Sequence, residues 1–293
     1  MLEYLEKLME ERKWEEALSY AEQLLSQVED DPKTLLRVNM ALLISRQELG
    51  EFLGAQSIGQ LCVKMANELE EWKLFHVSCH YLGLAHYRVG QPDLALATWF
   101  ELLGHSSSAT MDPELEALVR YNIGITYNQL GDLDQATKFF SSSLQVANRS
   151  GLARLAHGVR HALLGAYIKH GIVQEVPRLL AQSLHYVHSI QDASDQVDET
   201  RLWHFLIRCQ FAMATHRTAR ARLVAHRGLK ESEGHPRLAI EFNMILARIA
   251  RAIGDKEGAV GHALAARIAA IACRRYDLEL AAAEFMYELI SES

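Results

Sequence analysis

The sequence predicts an all-α protein built as an array of about seven helical hairpins that ends in a capping helix. Apolar residues recur with the period of an α-helix, and no segment shows the alternation expected of a half-buried strand. Glycines suited to ending a helix recur at Gly50, Gly90, Gly131 and Gly171, with spacings of 40, 41 and 40 residues. Because each of these glycines separates two helical patterns, the repeating unit is a hairpin of two helices.

The hairpins follow one another from the first residue of the chain. Their approximate ranges are 1–30, 31–70, 71–105, 113–150, 152–190, 198–232 and 236–273, and the capping helix covers 277–290. The hairpin at 198–232 fits the glycine spacing poorly, so its register stays open. We interpret 1–293 as a single array, in which the last helix covers the apolar face of the final hairpin.

Four of the five prolines mark helix starts. A capping residue followed by a first-turn proline is expected at Asp31-Pro32, Asp112-Pro113 and His235-Pro236, and Gln91-Pro92 opens a helix in the same way. Pro177 is expected in the first turn of its helix or at a kink, because proline lacks the backbone donor that a helix interior needs.

Small residues stand at fixed distances from the turn glycines. Gly83 and Gly124 lie seven residues before Gly90 and Gly131. Alanine follows five residues after the turn, at Ala55, Ala95, Ala136 and Ala259. These positions are where the two helices of a hairpin must approach each other closely.

These residues resemble the tetratricopeptide repeat (TPR) family, whose pattern couples Leu-Gly-x-x-Tyr on one helix to Ala-x-x-x-Phe on the next. The fourth hairpin matches it at Ile123, Gly124, Tyr127, Ala136 and Phe140. The repeats exceed the usual length of about 34 residues and are similar to those of kinesin light chains and bacterial regulators. The resemblance implies a right-handed superhelical TPR solenoid.

Composition narrows the function classes. The formal net charge of −7 argues against direct nucleic-acid binding, for which domains are normally basic. Four cysteines, at Cys62, Cys79, Cys209 and Cys273, are scattered along the chain without a C-x-x-C pair, so we expect neither a disulfide framework nor a structural zinc site. The acidic first residues are unlike a signal peptide, and no apolar stretch is long enough to span a membrane. We therefore expect a cytoplasmic protein that contacts neither nucleic acid nor membrane.

The TPR resemblance implies that the first helix of each hairpin lines a concave groove. The implied lining mixes apolar, aromatic, amide and basic side chains, which suits an extended peptide because amides pair with backbone groups and cations hold carboxylates. The candidate peptide-binding residues are Arg37, Met40, Gln47, His80, Leu84, Tyr87, Arg88, Tyr121, Asn122, Ile125, Asn128, Gln129, His161, Lys169, Met244, Arg248 and Arg251.

Long repeats with a Tyr-Asn-Ile-Gly helix look like the Rap-like and PlcR-like peptide-pheromone receptors of Gram-positive bacteria. That resemblance implies a non-enzymatic domain that senses a short peptide and regulates transcription or signalling. The alternative is a constitutive scaffold that docks a protein segment or associates with itself. The sequence leaves open whether the chain forms a homodimer. Since no helix-turn-helix domain precedes the first hairpin, the sequence leaves the output of such a sensor undefined.

The remaining patterns of histidine, cysteine and glycine give little support for a metal site or a catalytic site. His76, Cys79 and His80 share a helix face, as do His157 and His161, but the pairs are two hairpins apart and no acidic third ligand follows. We therefore predict neither a metal site nor a cofactor. No nucleotide-binding or hydrolase motif occurs, so we expect no enzymatic activity.

One helix is locally basic. Its cations are Arg217, Arg220, Arg222, Arg227 and Lys230. A solvated outer face is the favoured interpretation, and a docking patch for an acidic partner is the alternative.

Overall fold

A computed structural model of the chain describes residues 1–28, 30–105, 111–191, 199–273 and 275–291. Within those ranges all regular structure is α-helical, which confirms the predicted fold class. The helices are α1 (Leu2–Glu10), α2 (Trp14–Leu25), α3 (Pro32–Glu48), α4 (Phe52–Glu68), α5 (Trp72–Arg88), α6 (Pro92–His105), α7 (Pro113–Leu130), α8 (Leu133–Arg149), α9 (Ala153–Lys169), α10 (Val176–Gln191), α11 (Glu199–Ala214), α12 (Thr218–Glu231), α13 (Pro236–Ala252), α14 (Lys256–Ala272) and α15 (Tyr276–Ser291).

The helices form seven consecutive hairpins followed by α15, and they divide into two compact units. The first unit comprises 1–152 and the second 153–293. Within each unit the first helices of successive hairpins contact each other, as in α3 with α5, α5 with α7 and α11 with α13. This side-by-side stacking gives each unit one face built from first helices. The description of 1–293 as a single array, and the handedness of the solenoid, stay predictions.

Residues in the left-handed backbone region mark the hairpin turns. The predicted turn glycines all have positive φ, with values between 75° at Gly171 and 87° at Gly131. In the sixth hairpin His216 takes this place between α11 and α12, with a φ of 54°. The register that the sequence left open is therefore set by a turn that has no glycine.

The small residues before the turns allow direct packing of large aromatic side chains. Phe140 is fully buried, and a Cβ atom added to Gly124 would lie 2.7 Å from its ring. Trp99 is fully buried against Gly83 in the same way, and its indole N–H donates a hydrogen bond to the His80 carbonyl oxygen over 3.3 Å. In the third and fourth hairpins, the two helices therefore pack around one aromatic ring.

The prolines occupy the predicted positions. Pro32, Pro113 and Pro236 open their helices, and Pro177 lies in the first turn of α10. Asp31 and Asp112 cap their helices by accepting backbone N–H donors, as expected. His235 holds the capping position of α13 without a side-chain hydrogen bond to the helix, so proline alone marks that start.

The described helices include none with both the length and the apolar character needed to cross a bilayer. All four cysteines are free thiols. Burial raises the pKa of the Cys62, Cys79 and Cys209 thiols to about 12, so these three are unreactive packing residues.

Candidate functional site

The predicted groove residues of the first unit lie on three helices that contact one another in succession. They are Arg37, Met40 and Gln47 on α3, His80, Leu84, Tyr87 and Arg88 on α5, and Tyr121, Asn122, Ile125, Asn128 and Gln129 on α7. The first unit therefore gathers the residues on neighbouring helices, and their contact with a peptide stays a prediction.

Three of these residues are almost fully buried. Met40 is 5% exposed, Gln47 9% and His80 7%. Burial lowers the pKa of His80 to about 4, so its imidazole is neutral at pH 7. Within the part of the chain that the structure describes, Gln47 Oε1 and His80 Nδ1 are buried without a hydrogen-bond partner. A ligand reaches neither atom unless the surrounding side chains move, because both lack accessible surface.

The remaining residues of the first unit are more accessible, but two already pack against aromatic rings. The Arg88 guanidinium lies 5.8 Å from the centroid of the Phe52 ring. The Tyr121 ring lies 6.0 Å from that of Phe140, its partner within the hairpin. The half-buried members are Leu84, Tyr87, Tyr121, Asn122, Ile125 and Asn128, and the exposed members are Arg37, Arg88 and Gln129.

His161, predicted to line the groove, lies in a buried cluster of the second unit. Its Nε2 atom is 2.8 Å from the Ser183 hydroxyl. Nδ1 of His157 and Nδ1 of His204 each lie 3.4 Å from the same hydroxyl. Lys169, the other predicted residue of α9, is exposed.

One hydroxyl suits three imidazoles because it has one hydrogen to donate and two lone pairs that accept. Burial, together with His157 and His204, lowers the pKa of His161 to about 2, which keeps its ring neutral. The sequence identified the i, i+4 pair His157 and His161. It missed His204 and Ser183, which reach the cluster from α11 and α10, because helix packing alone brings them together. Among the described residues, no group of three His, Cys, Asp or Glu side chains has the geometry to hold a metal ion.

The three predicted residues of α13 line one cavity together. Met244, Arg248 and Arg251 face α15 across a cavity of about 550 Å³. This volume lies within the usual range for small-ligand sites. The other lining residues are Ala252, Ala281, Glu284, Phe285 and Glu288. From the sequence we expected α15 only to cap the array, because its contacts with α13 depend on how the last helix packs.

The cavity combines an apolar floor with a charged rim. Met244 and Phe285 are buried, at 7% and 8% exposure. Arg251 donates to the Glu288 carboxylate over 2.8 Å, and its guanidinium lies 5.5 Å from the Phe285 ring centroid. Arg248 is exposed at the rim. Such a site can bury an apolar side chain while pairing with both a carboxylate and backbone or amino donors.

Solved structures show which fold these helices form. A tetratricopeptide repeat protein from Parabacteroides merdae is 15% identical, with a TM-score of 0.69 over 99% of this chain and 97% of that one. A Rap protein complexed with Competence and Sporulation Factor is 13% identical, with a TM-score of 0.67 over 96% of this chain and 74% of that one.

The apo form of the quorum sensor NprR from B. thuringiensis is also 13% identical, with a TM-score of 0.68 over 99% of this chain and 86% of that one. The chain therefore has the TPR fold, and its structural neighbours include the expected pheromone receptors. No protein-family model matches the sequence, and no curated protein matches it significantly.

Proposed function

We propose that this chain is a non-enzymatic, ligand-sensing TPR domain that binds a short peptide. The observation that carries the proposal is the cavity between α13 and α15, where Met244, Arg248 and Arg251 converge with Phe285. A buried apolar floor and a rim of both charges match what an extended peptide presents, an apolar side chain beside backbone donors and acceptors.

Two structural neighbours support the sensing role. One is a Rap protein complexed with Competence and Sporulation Factor, and another is a quorum sensor. By analogy of fold, we infer that peptide binding regulates transcription or signalling in the cytoplasm, without a cofactor and without direct contact to nucleic acid or membrane.

The alternative function is a constitutive scaffold that docks a protein segment or a second copy of the chain. The outer side of α15 favours it, because Leu280, Tyr287 and Ile290 are 60%, 75% and 69% exposed. Exposed apolar patches of this kind mark protein interaction sites. A scaffold would bind a folded partner and would not respond to short peptides.

A cavity-blocking substitution tests the proposal. Ala281 lines the cavity, so Ala281→Trp is expected to fill it and abolish binding of short peptides selected on the wild-type chain from a library of five to ten residues. Arg248→Ala is expected to weaken binding about tenfold if the peptide presents a carboxylate there. Isothermal titration calorimetry measures both.

Two variants serve as controls. Ala265→Trp adds the same ring at an exposed alanine of α14, and Arg154→Ala removes an exposed arginine of α9. Both should bind like wild type. Selected peptides that bind the Ala281→Trp variant unchanged would show that this cavity is not the peptide site.

A further inference from the structure

A second recessed surface lies along α12 and the end of α13. It is an open groove of about 440 Å³, lined by Thr218, Arg222, Leu223, His226, Ile249 and Ile253 among others. Thr218, Arg222 and His226 are spaced four residues apart, so they follow one face of α12 for about 12 Å. This length matches two turns of a helix lying alongside.

The groove exposes large apolar side chains. Leu223 is 73% exposed and Ile253 is 52% exposed, although both flank a recess that could shield apolar groups. Ile249 forms a fully packed base beneath them, at 1% exposure. A partner side chain entering the groove would remove the exposed part of this surface from water, which favours association.

The surface around the groove is positively charged. Arg222 lines the groove, and Arg217, Arg220 and Lys230 are exposed elsewhere along α12. Within the described part of the chain, none of these four cations forms an ion pair. The nearby Glu231 carboxylate is already bound by Arg201, at 3.0 Å, and by Arg227, at 2.8 Å. The carboxylate at the groove's inner end, Asp255, accepts the Gly258 backbone N–H over 2.8 Å.

The positive charge of this surface contrasts with the negative net charge of the whole chain. Residues 1–152 contain 22 acidic and 12 basic side chains, whereas 153–293 contain 15 acidic and 18 basic, which leaves formal charges of −10 and +3. An unpaired cluster of cations beside an apolar recess is complementary to an acidic, amphipathic partner.

We propose that the α12 groove docks an acidic amphipathic helix of another protein. The apolar face of that helix would pack on Leu223, Ile249 and Ile253. Its carboxylates would pair with Arg222, which lines the groove, and with Lys230, which continues the row of Thr218, Arg222 and His226 along the same face of α12. Helix-in-groove recognition of this kind places apolar anchors at i, i+3 or i+4 and i+7. The site lies outside the α13–α15 cavity and does not depend on the proposed peptide ligand.

The test uses the full chain and a synthetic helical peptide of about 18 residues, with leucine along one face and glutamate on the other. A matched peptide carries lysine in place of each glutamate. Fluorescence anisotropy is expected to detect binding of the glutamate peptide only. Its Kd should rise at least about tenfold between low and high salt, because exposed charge pairs are screened.

Two substitutions in the groove should each weaken the glutamate peptide about tenfold or more, namely Leu223→Asp and Arg222→Glu. Leu53→Asp is the matched control for the first, because Leu53 on α4 is also 73% exposed. Arg154→Glu on α9 is the control for the second. Both controls should bind like wild type, as should Ala281→Trp, which separates this site from the peptide cavity.

Three outcomes would overturn the proposal. Equal binding of both peptides, or binding unaffected by Leu223→Asp, would show that the groove does not select an acidic amphipathic helix. Duplex DNA binding that is lost in Arg222→Glu and retained in Leu223→Asp would assign the cations to a nucleic acid. Sedimentation showing self-association of the wild type that Leu223→Asp abolishes would assign the groove to a second copy of the chain.

Discussion

At the scale of single residues, the contact between Gly124 and Phe140 shows why glycine is needed inside a helix. Glycine in a helix interior costs about 1 kcal/mol relative to alanine, yet a Cβ atom here would lie 2.7 Å from a fully buried ring. Because Phe140 cannot move without disturbing its own hairpin, the steric cost of alanine exceeds the gain in helix propensity.

Gly124→Ala is therefore expected to destabilise the first unit by about 1–3 kcal/mol, the usual cost of overpacking a core. Gly158→Ala is the matched control, since Gly158 is also inside a helix but has no atom within 4 Å of an added Cβ. The control should be neutral or stabilising by up to about 1 kcal/mol. Denaturant unfolding measures both, and equal effects of the two substitutions would contradict the steric explanation.

At the scale of elements, the turn between α11 and α12 departs from the others. His216 adopts a φ of 54°, a region that L-residues other than glycine occupy at a cost. His216→Gly is expected to stabilise the second unit by about 0.5–1 kcal/mol, because relief of that cost outweighs the extra freedom of the unfolded chain. Thermal unfolding followed through Trp203, the only tryptophan after residue 152, reports on this unit.

Gly171→Ala provides the opposite change. Gly171 has a φ of 75° at the equivalent turn of the fifth hairpin, so alanine there should lower the melting temperature. A stabilising Gly171→Ala, or a destabilising His216→Gly, would mean that the left-handed residue does not limit these turns.

These turns also explain how far the sequence could predict the elements. A left-handed turn can be recognised in the sequence only where glycine occupies it. Four hairpins were therefore identified from Gly50, Gly90, Gly131 and Gly171, whereas the turn at His216 gave no such signal. The sixth hairpin still carries the other marks of the register, because Ala221 stands five residues after the turn and is fully buried. A small buried residue at that spacing was a usable signal.

Candidate sites were less predictable than elements, because they depend on contacts between distant helices. The TPR resemblance placed Met244, Arg248 and Arg251 on one face of α13, and in the structure they line one cavity; their contact with a peptide stays a prediction. The same reasoning put His161 on an accessible face. It is instead buried against Ser183, a residue of the next helix that no local pattern could have indicated.

At the scale of the whole molecule, each unit contains a buried histidine that stays neutral well below its ordinary pKa. The pKa of His80 is about 4 in the first unit, and that of His161 is about 2 in the second. The ordinary value for histidine is about 6.5. Below pH 6.5 the unfolded chain binds a proton on each of these histidines, whereas the folded chain does not. Their contribution to the free energy of unfolding is therefore fully present above pH 6.5 and is lost as the pH falls toward the pKa of the folded state.

Between pH 6.5 and 5, each histidine should therefore reduce the free energy of unfolding of its unit by up to about 1.4 kcal/mol per pH unit. His161→Phe is expected to flatten the pH dependence of α9–α12 and leave that of α3–α6 unchanged, and His80→Phe to do the reverse. The effects should be local because a repeat array is stabilised mainly by contacts between neighbouring repeats.

Hydrogen exchange with mass spectrometry at pH 7, 6 and 5, corrected for the intrinsic exchange rate, resolves the two units in one experiment. Leu53→Phe changes an exposed side chain and serves as the control, with a pH dependence like that of wild type in both units. If His161→Phe flattened the response of both units equally, the chain would unfold as one cooperative body. Its stability would then belong to the whole array and not to separate cores.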